Sequence, residues 1–241
     1  MFNIFLKKSK IVVDCFTTNS VINDLHPIAP ANNFYPEWWK RLESTVMVNG
    51  PSGVLRPEGT IKRCDGLLDL YKQGFVIPLW SDLIIETTEE GNYRYQFPTD
   101  GNPPITNHLT AQMGSAFEKL MHIKVISPWL AEEKSGVKFS FNQPTWSMLN
   151  YFQDIVTMPG IINYRDQIST HVNMFVPRKN NRLEFEAGQP LAHVIPISDK
   201  KVEIKTHLIS ISEFDLKLQR LGYQTKWFGN YKMLSKMARR G

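Results

Sequence analysis

Six histidines (His26, His108, His122, His171, His193 and His207) and two cysteines (Cys15 and Cys64) hold most of the chain's capacity for metal or nucleophilic chemistry. A non-haem iron site needs two imidazoles and a carboxylate on one face with open coordination positions, and on a β-barrel or jelly roll that demand reads as HxD, HxE or HxH. No histidine here has Asp, Glu or His two residues on. The nearest approach is His171-Val172-Asn173, followed by Glu184 across a turn and then by His193, but Asn offers only a neutral carbonyl oxygen. His171, His193 and Glu184 are therefore weak candidates. The spacing predicts no metal and no cofactor, only histidines that satisfy hydrogen bonds on half-buried strands. Nucleophilic catalysis fares no better, because GxSxG is missing and neither cysteine has an activating motif. Cys64 precedes Asp65-Gly66 at an expected helix start, where a dipole would lower its pKa, yet a small buried thiol is the expectation. No phosphate-cradling glycine loop occurs, Gly50-Pro51-Ser52-Gly53 being too short.

Two aromatic groupings add binding capacity. Phe34, Tyr35, Trp38 and Trp39 could stack a sugar or a base, but adjacent helical residues point about 100° apart, so one Trp is expected in the core and one outside. At the C-terminus, Lys226, Trp227, Phe228, Tyr231, Lys232, Lys236, Arg239 and Arg240 interleave cations with apolar anchors. The chain's net charge of +5 is concentrated there. From Phe214 onward seven cations face the single acid Asp215, a net of +6, which leaves −1 on the preceding 213 residues. An acidic partner or nucleic acid is expected to meet this arm, either docked or mobile.

The elements that must position these groups read as strands. Lys10–Thr17, Phe75–Ile85, Leu83–Thr88, Tyr93–Phe97, His122–Ile126, Val137–Phe141, Ser147–Phe152 and Leu191–Ile197 are expected strands, punctuated by turns every eight to twelve residues. Glu89-Glu90-Gly91-Asn92 predicts a hairpin, and Val172–Val176 with Arg182–Glu186 predicts a stronger one. Residues 50–59 are expected to be loop. Short helices are expected after Pro36, over Leu67–Tyr71 with Gly74 as its left-handed stop, and from a Ser212 cap to Leu221 with Gly222 as its end. The fold class is mainly β, a jelly-roll or double-stranded β-helix-like sandwich, with residues 1–222 as one domain and 223–241 as a basic arm.

With 42% hydrophobic and 12% aromatic residues the chain suits a packed globule. No apolar run reaches membrane-spanning length, and MFNIFLKKSK does not fit a signal peptide, so synthesis in the cytoplasm is expected. Two distant cysteines predict no disulfide framework.

Four passages together resemble a family of proteins, itself without an assigned activity, from tailed bacteriophages, especially those of marine cyanobacteria, and from bacteria. They are YPEWWKRL from Tyr35, IKRCDGLLDLYKQGFVIPLWSDLIIE from Ile61, SPW at Ser127–Trp129 with MPGIINYR from Met158, and FEAGQPLAHVIPI from Phe185. The chain departs from that pattern at Ile161–Arg165, where IINYR replaces an acidic VDTD-like run. The resemblance implies a β-sandwich-like fold and a viral setting, the host cytoplasm or the virion. Two functional expectations stand: a non-enzymatic phage protein, structural or partner-binding and engaging a protein or its own copies, or a cupin-like, non-haem iron oxygenase with atypical ligand spacing.

Overall fold

The computed structural model describes residues 10–51, 53–98, 104–108, 110–151 and 154–228. The chain opens with β1 (Ile11–Thr17), whose residues alternate between buried and half-buried as a strand on a core must. Asn19 caps α1 (Ser20–Leu25), its Oδ1 accepting the Ile22 amide at 3.1 Å. Then come β2 (Ala29–Pro30), α2 (Glu37–Arg41), β3 (Thr45–Asn49), β4 (Leu55–Gly59) and α3 (Asp65–Tyr71). β5 (Phe75–Pro78), β6 (Leu83–Thr87), β7 (Tyr93–Gln96), β8 (Ile105–Thr106), α4 (Thr110–Met113), β9 (Leu120–Val125), β10 (Leu130–Glu133) and β11 (Phe139–Asn142) make the middle. The last part holds β12 (Val156–Thr157), β13 (Gly160–Ile162), β14 (Val172–Pro177), β15 (Asn181–Phe185), β16 (Pro190–Pro196), β17 (Val202–Leu208) and α5 (Ile211–Phe228).

The expected mainly-β sandwich is what forms. The strands order as β10-β1-β17, β13-β11-β16-β5-β2, β12-β14-β9-β8, β15-β6-β7 and the separate pair β3-β4. All pairings are antiparallel except β1 with β17. The first four sheets share one apolar core in which Val13, Phe75, Ile85, Ile123, Phe139, Met174 and Val194 are wholly buried. A smaller cluster of Ala31, Leu67, Tyr71 and Val76 lies beneath Tyr35, Trp39 and Trp146.

Several elements depart from expectation for identifiable reasons. Phe75–Ile85 is two strands in two sheets: Pro78 has no amide for a continued ladder, the partner strand bulges between Pro190 and Ala192, and Leu79 turns to pair with Gln189 and Gly188. β14 and β15 are not a hairpin. β14 pairs with β9 and β12, whereas β15 pairs with β6. The connecting Pro177-Arg178-Lys179-Asn180-Asn181 has no glycine, and none of the described non-glycine residues adopts positive φ, so a tight primed turn is unavailable. The chain crosses instead, with Arg178 N donating to Lys119 O at 2.9 Å and Thr87 Oγ1 to Lys179 O at 2.7 Å. The Ser147–Phe152 region forms 3-10 turns over Thr145–Ser147 and Leu149–Tyr151 rather than a strand; Phe152 lies outside the described residues.

Residues 50–59, expected to be loop, supply β4 and the tip of a hairpin with β3. Finally, α5 starts two residues earlier and ends later than expected. Ser210 and Glu213 form a reciprocal capping box, Glu213 N donating to Ser210 Oγ at 3.3 Å and Ser210 N to Glu213 Oε2 at 2.9 Å, so Ser212 is not the cap. Gly222 does not stop the helix, because a glycine costs only about 1 kcal/mol in a helix interior and no breaker follows it before Phe228.

Candidate functional site

The structure does not bring the three weak metal candidates together. His193 sits on β16 between Val76 and Asn142, is 4% exposed, and its Nε2 donates to Gln73 O at 2.8 Å. Glu184 lies on the solvent face of β15, where it accepts from Arg182 Nε at 2.6 Å. His171 enters β14 in a different sheet, and His207 on β17 pairs with Asp14 at 2.8 Å. Among the described residues no group of three His, Cys, Asp or Glu side chains could hold an ion. Cys64 reverses its expectation, since it is exposed at the start of α3, whereas Cys15 is buried in β1 with its thiol pushed far up by burial.

One cleft does gather polar groups, on the face shared by β8, β9 and β14. The register sets Thr106, Lys124 and Asn173 in one row across the three strands, with His122 and His171 two residues away on the same face. His122 accepts the His108 amide at Nδ1 (3.1 Å), and its Nε2 lies 3.1 Å from Asn173 Oδ1. With Nδ1 used as acceptor, the ring proton must sit on Nε2 and be donated to Asn173, which turns the amide NH₂ of Asn173 away from His122. Burial first, then the neighbouring His108, lowers the His122 pKa and keeps it neutral. His171 is held at about 4 by burial and then by the Lys124 charge, and its Nδ1 is buried with no hydrogen-bond partner among the described residues.

This cleft measures about 470 Å³. Its polar lining is His108, Lys124, Gln167, Ser169, His171 and Asn173, and its apolar wall comes from Phe141, Met158 and Ile161 among others. Sequence reading singled out His171 and Asn173, the latter only as a poor metal ligand, and missed Lys124, because the cross-strand register that joins it to Asn173 spans about fifty residues and leaves no local motif. The Ile161–Arg165 segment, singled out for lacking acids, supplies part of the apolar wall.

A wider groove of about 870 Å³ is lined by Trp38 and Trp146 together with Asp82, Glu184 and Glu186. Trp38 is 37% exposed and donates its indole N–H to Trp146 O at 3.0 Å, while Trp39 stacks on Tyr35 at 4.4 Å in the smaller core. The expected division of the tryptophan pair holds.

Two elements stand away from the core. Among the described residues the β3-β4 hairpin pairs with no other strand, and Val46, Met47, Val54 and Leu55 are 48–67% exposed. On α5, Ile211, Leu216 and Leu218 are exposed, and Lys217 ties the helix to the body through Glu132 at 2.8 Å and over the Phe16 ring at 3.8 Å. Of the expected partner-binding residues, Lys226, Trp227 and Phe228 fall on the last turn of α5; Tyr231, Lys232, Lys236, Arg239 and Arg240 lie outside the described residues. Among the described residues no helix is long and apolar enough to cross a membrane. No protein-family model matches the chain, and no curated protein is similar to it.

Proposed function

We propose that this chain is a non-enzymatic partner-binding protein of a tailed phage, acting as an assembly or virion component made in the host cytoplasm. The observation that carries the reading is the β3-β4 hairpin. An isolated two-stranded hairpin is marginal in water, and this one exposes Met47 at the middle of β3 and Val54 and Leu55 beside its turn. Apolar side chains displayed on a projecting element, away from a core that is already complete, are what a docking surface needs. The basic helix and arm add electrostatic attraction toward an acidic protein surface, or a nucleic acid, screened beyond about 8 Å at physiological salt. The scatter of His171, His193 and Glu184 over three sheets weighs against the oxygenase alternative.

The test is mass spectrometry of purified particles carrying either the wild-type chain or the Met47→Asp/Leu55→Asp double variant. The wild type is expected in the particles, the variant at less than about a tenth of that amount with an unchanged melting temperature, as loss of two apolar anchors predicts. Equal incorporation of the two chains, or absence of the wild type, contradicts the proposal.

A further inference from the structure

The cleft over β9 and β14 has a chemical character that partner binding does not use. Lys124 is half-buried and has no carboxylate partner among the described residues, and the described lining contains no Asp or Glu. A cation in a partly desolvated cleft without a counter-charge favours an anion there. The donors beside it are fixed by chemistry. Because His122 Nε2–H is donated to Asn173 Oδ1, the Asn173 amide group is left to present N–H donors next to its cross-strand neighbour Lys124. Ser169 Oγ already accepts from Gln167 Nε2 at 2.5 Å, which leaves its own hydroxyl proton to give. The rest of the lining is mostly hydrocarbon, from Phe141, Met158, Pro159, Ile161 and Ile162.

We infer that this cleft binds a small carboxylate with an apolar body, its two oxygens shared between the Lys124 ammonium and the Asn173 amide and its hydrocarbon part against Ile161, Ile162 and Phe141. One ammonium and neutral donors match a monoanion. A phosphate monoester, which carries close to two charges at neutral pH, would be undercompensated there. The volume falls in the range of small-molecule sites rather than of macromolecular surfaces. The neutral state of His171 is consistent with the arrangement, since a neutral ring neither competes with Lys124 for the anion nor repels it.

Calorimetric titration of the full-length protein with octanoate, octyl phosphate and octanol tests this directly. Octanoate is expected to bind saturably, more tightly than octyl phosphate. Lys124→Met, which keeps the aliphatic stem, and Asn173→Asp, which keeps the His122 hydrogen bond but replaces the donors with a carboxylate, are each expected to weaken octanoate by about ten-fold or more. Octanol should respond to neither substitution. The inference is overturned by no saturable octanoate binding, by octanoate affinity that ignores both variants, or by preference for octyl phosphate. Either variant alone suffices if the other fails to fold, which melting curves reveal.

Discussion

His171 shows how a residue can look like a ligand in one dimension and act as a burden on stability in three. Its pKa is lowered to about 4 by burial and by Lys124, against about 6.5 for a free imidazole. Above pH 6.5 the ring is neutral in both folded and unfolded chains and contributes no pH dependence. As pH falls toward 4 the unfolded chain takes up a proton that the native site refuses, so stability declines across that window. His122 and His193 are lowered in the same sense, burial being the first cause in each. His171→Gln should therefore flatten the fall in melting temperature between about pH 7 and pH 4.5 without abolishing it, the remainder belonging to the other two rings and, toward the acid end, to carboxylates such as Glu86 whose pKa the native state lowers. A slope identical to the wild type would mean that His171 is solvated in the native state. The histidine types and spacing made the absence of a local iron motif legible. Nothing local could reveal that His122 orients Asn173, because that bond joins strands 51 positions apart.

At the scale of elements, the signals that held were those with a steric cause. Gly74 was legible as a helix stop because it must adopt positive φ, here 67°, and a Cβ there would lie 1.9 Å from Val194 O. Gly91, at φ 85°, likewise closes the β6-β7 hairpin where a turn was expected. Gly74→Ala combines backbone strain with a backbone clash and is expected to destabilise by about 3 kcal/mol or more, measured by chemical denaturation. A change below about 1 kcal/mol would show that β16 can move aside. The signals that failed were those where pairing depends on distant chain. Val172–Pro177 and Asn181–Phe185 have strand composition and a turn between them, yet each is recruited by a different sheet, β14 by β9 and β15 by β6. The Gly- and Pro-rich stretch 50–59 read as loop for the opposite reason: β4 contains Pro57 and Gly59 and is wholly exposed, so it lacks the alternation that marks a packed strand. An edge strand tolerates proline where a central one does not.

The whole molecule pairs a near-neutral β body with two projections. The body is closed on itself through a core common to four sheets. The hairpin and the C-terminal helix lie outside that arrangement and present apolar side chains, with the positive charge gathered at the C-terminal end of the chain. The order of charges along the sequence foretold the charge asymmetry, whereas the hairpin emerged only from the fold. That the projections are contact elements is the central claim, and site-specific photocrosslinking tests it most directly. A benzophenone amino acid placed at Met47, exposed at the middle of β3 in the hairpin, and separately at Lys200, on an exposed turn before β17, would, on the proposed phage setting, be irradiated in infected cells and in purified particles. Position 47 is expected to give a discrete adduct of a single mass, whether with a distinct protein or a second copy of this chain, and position 200 none. No adduct from either position, or the same adducts from both, would contradict that claim.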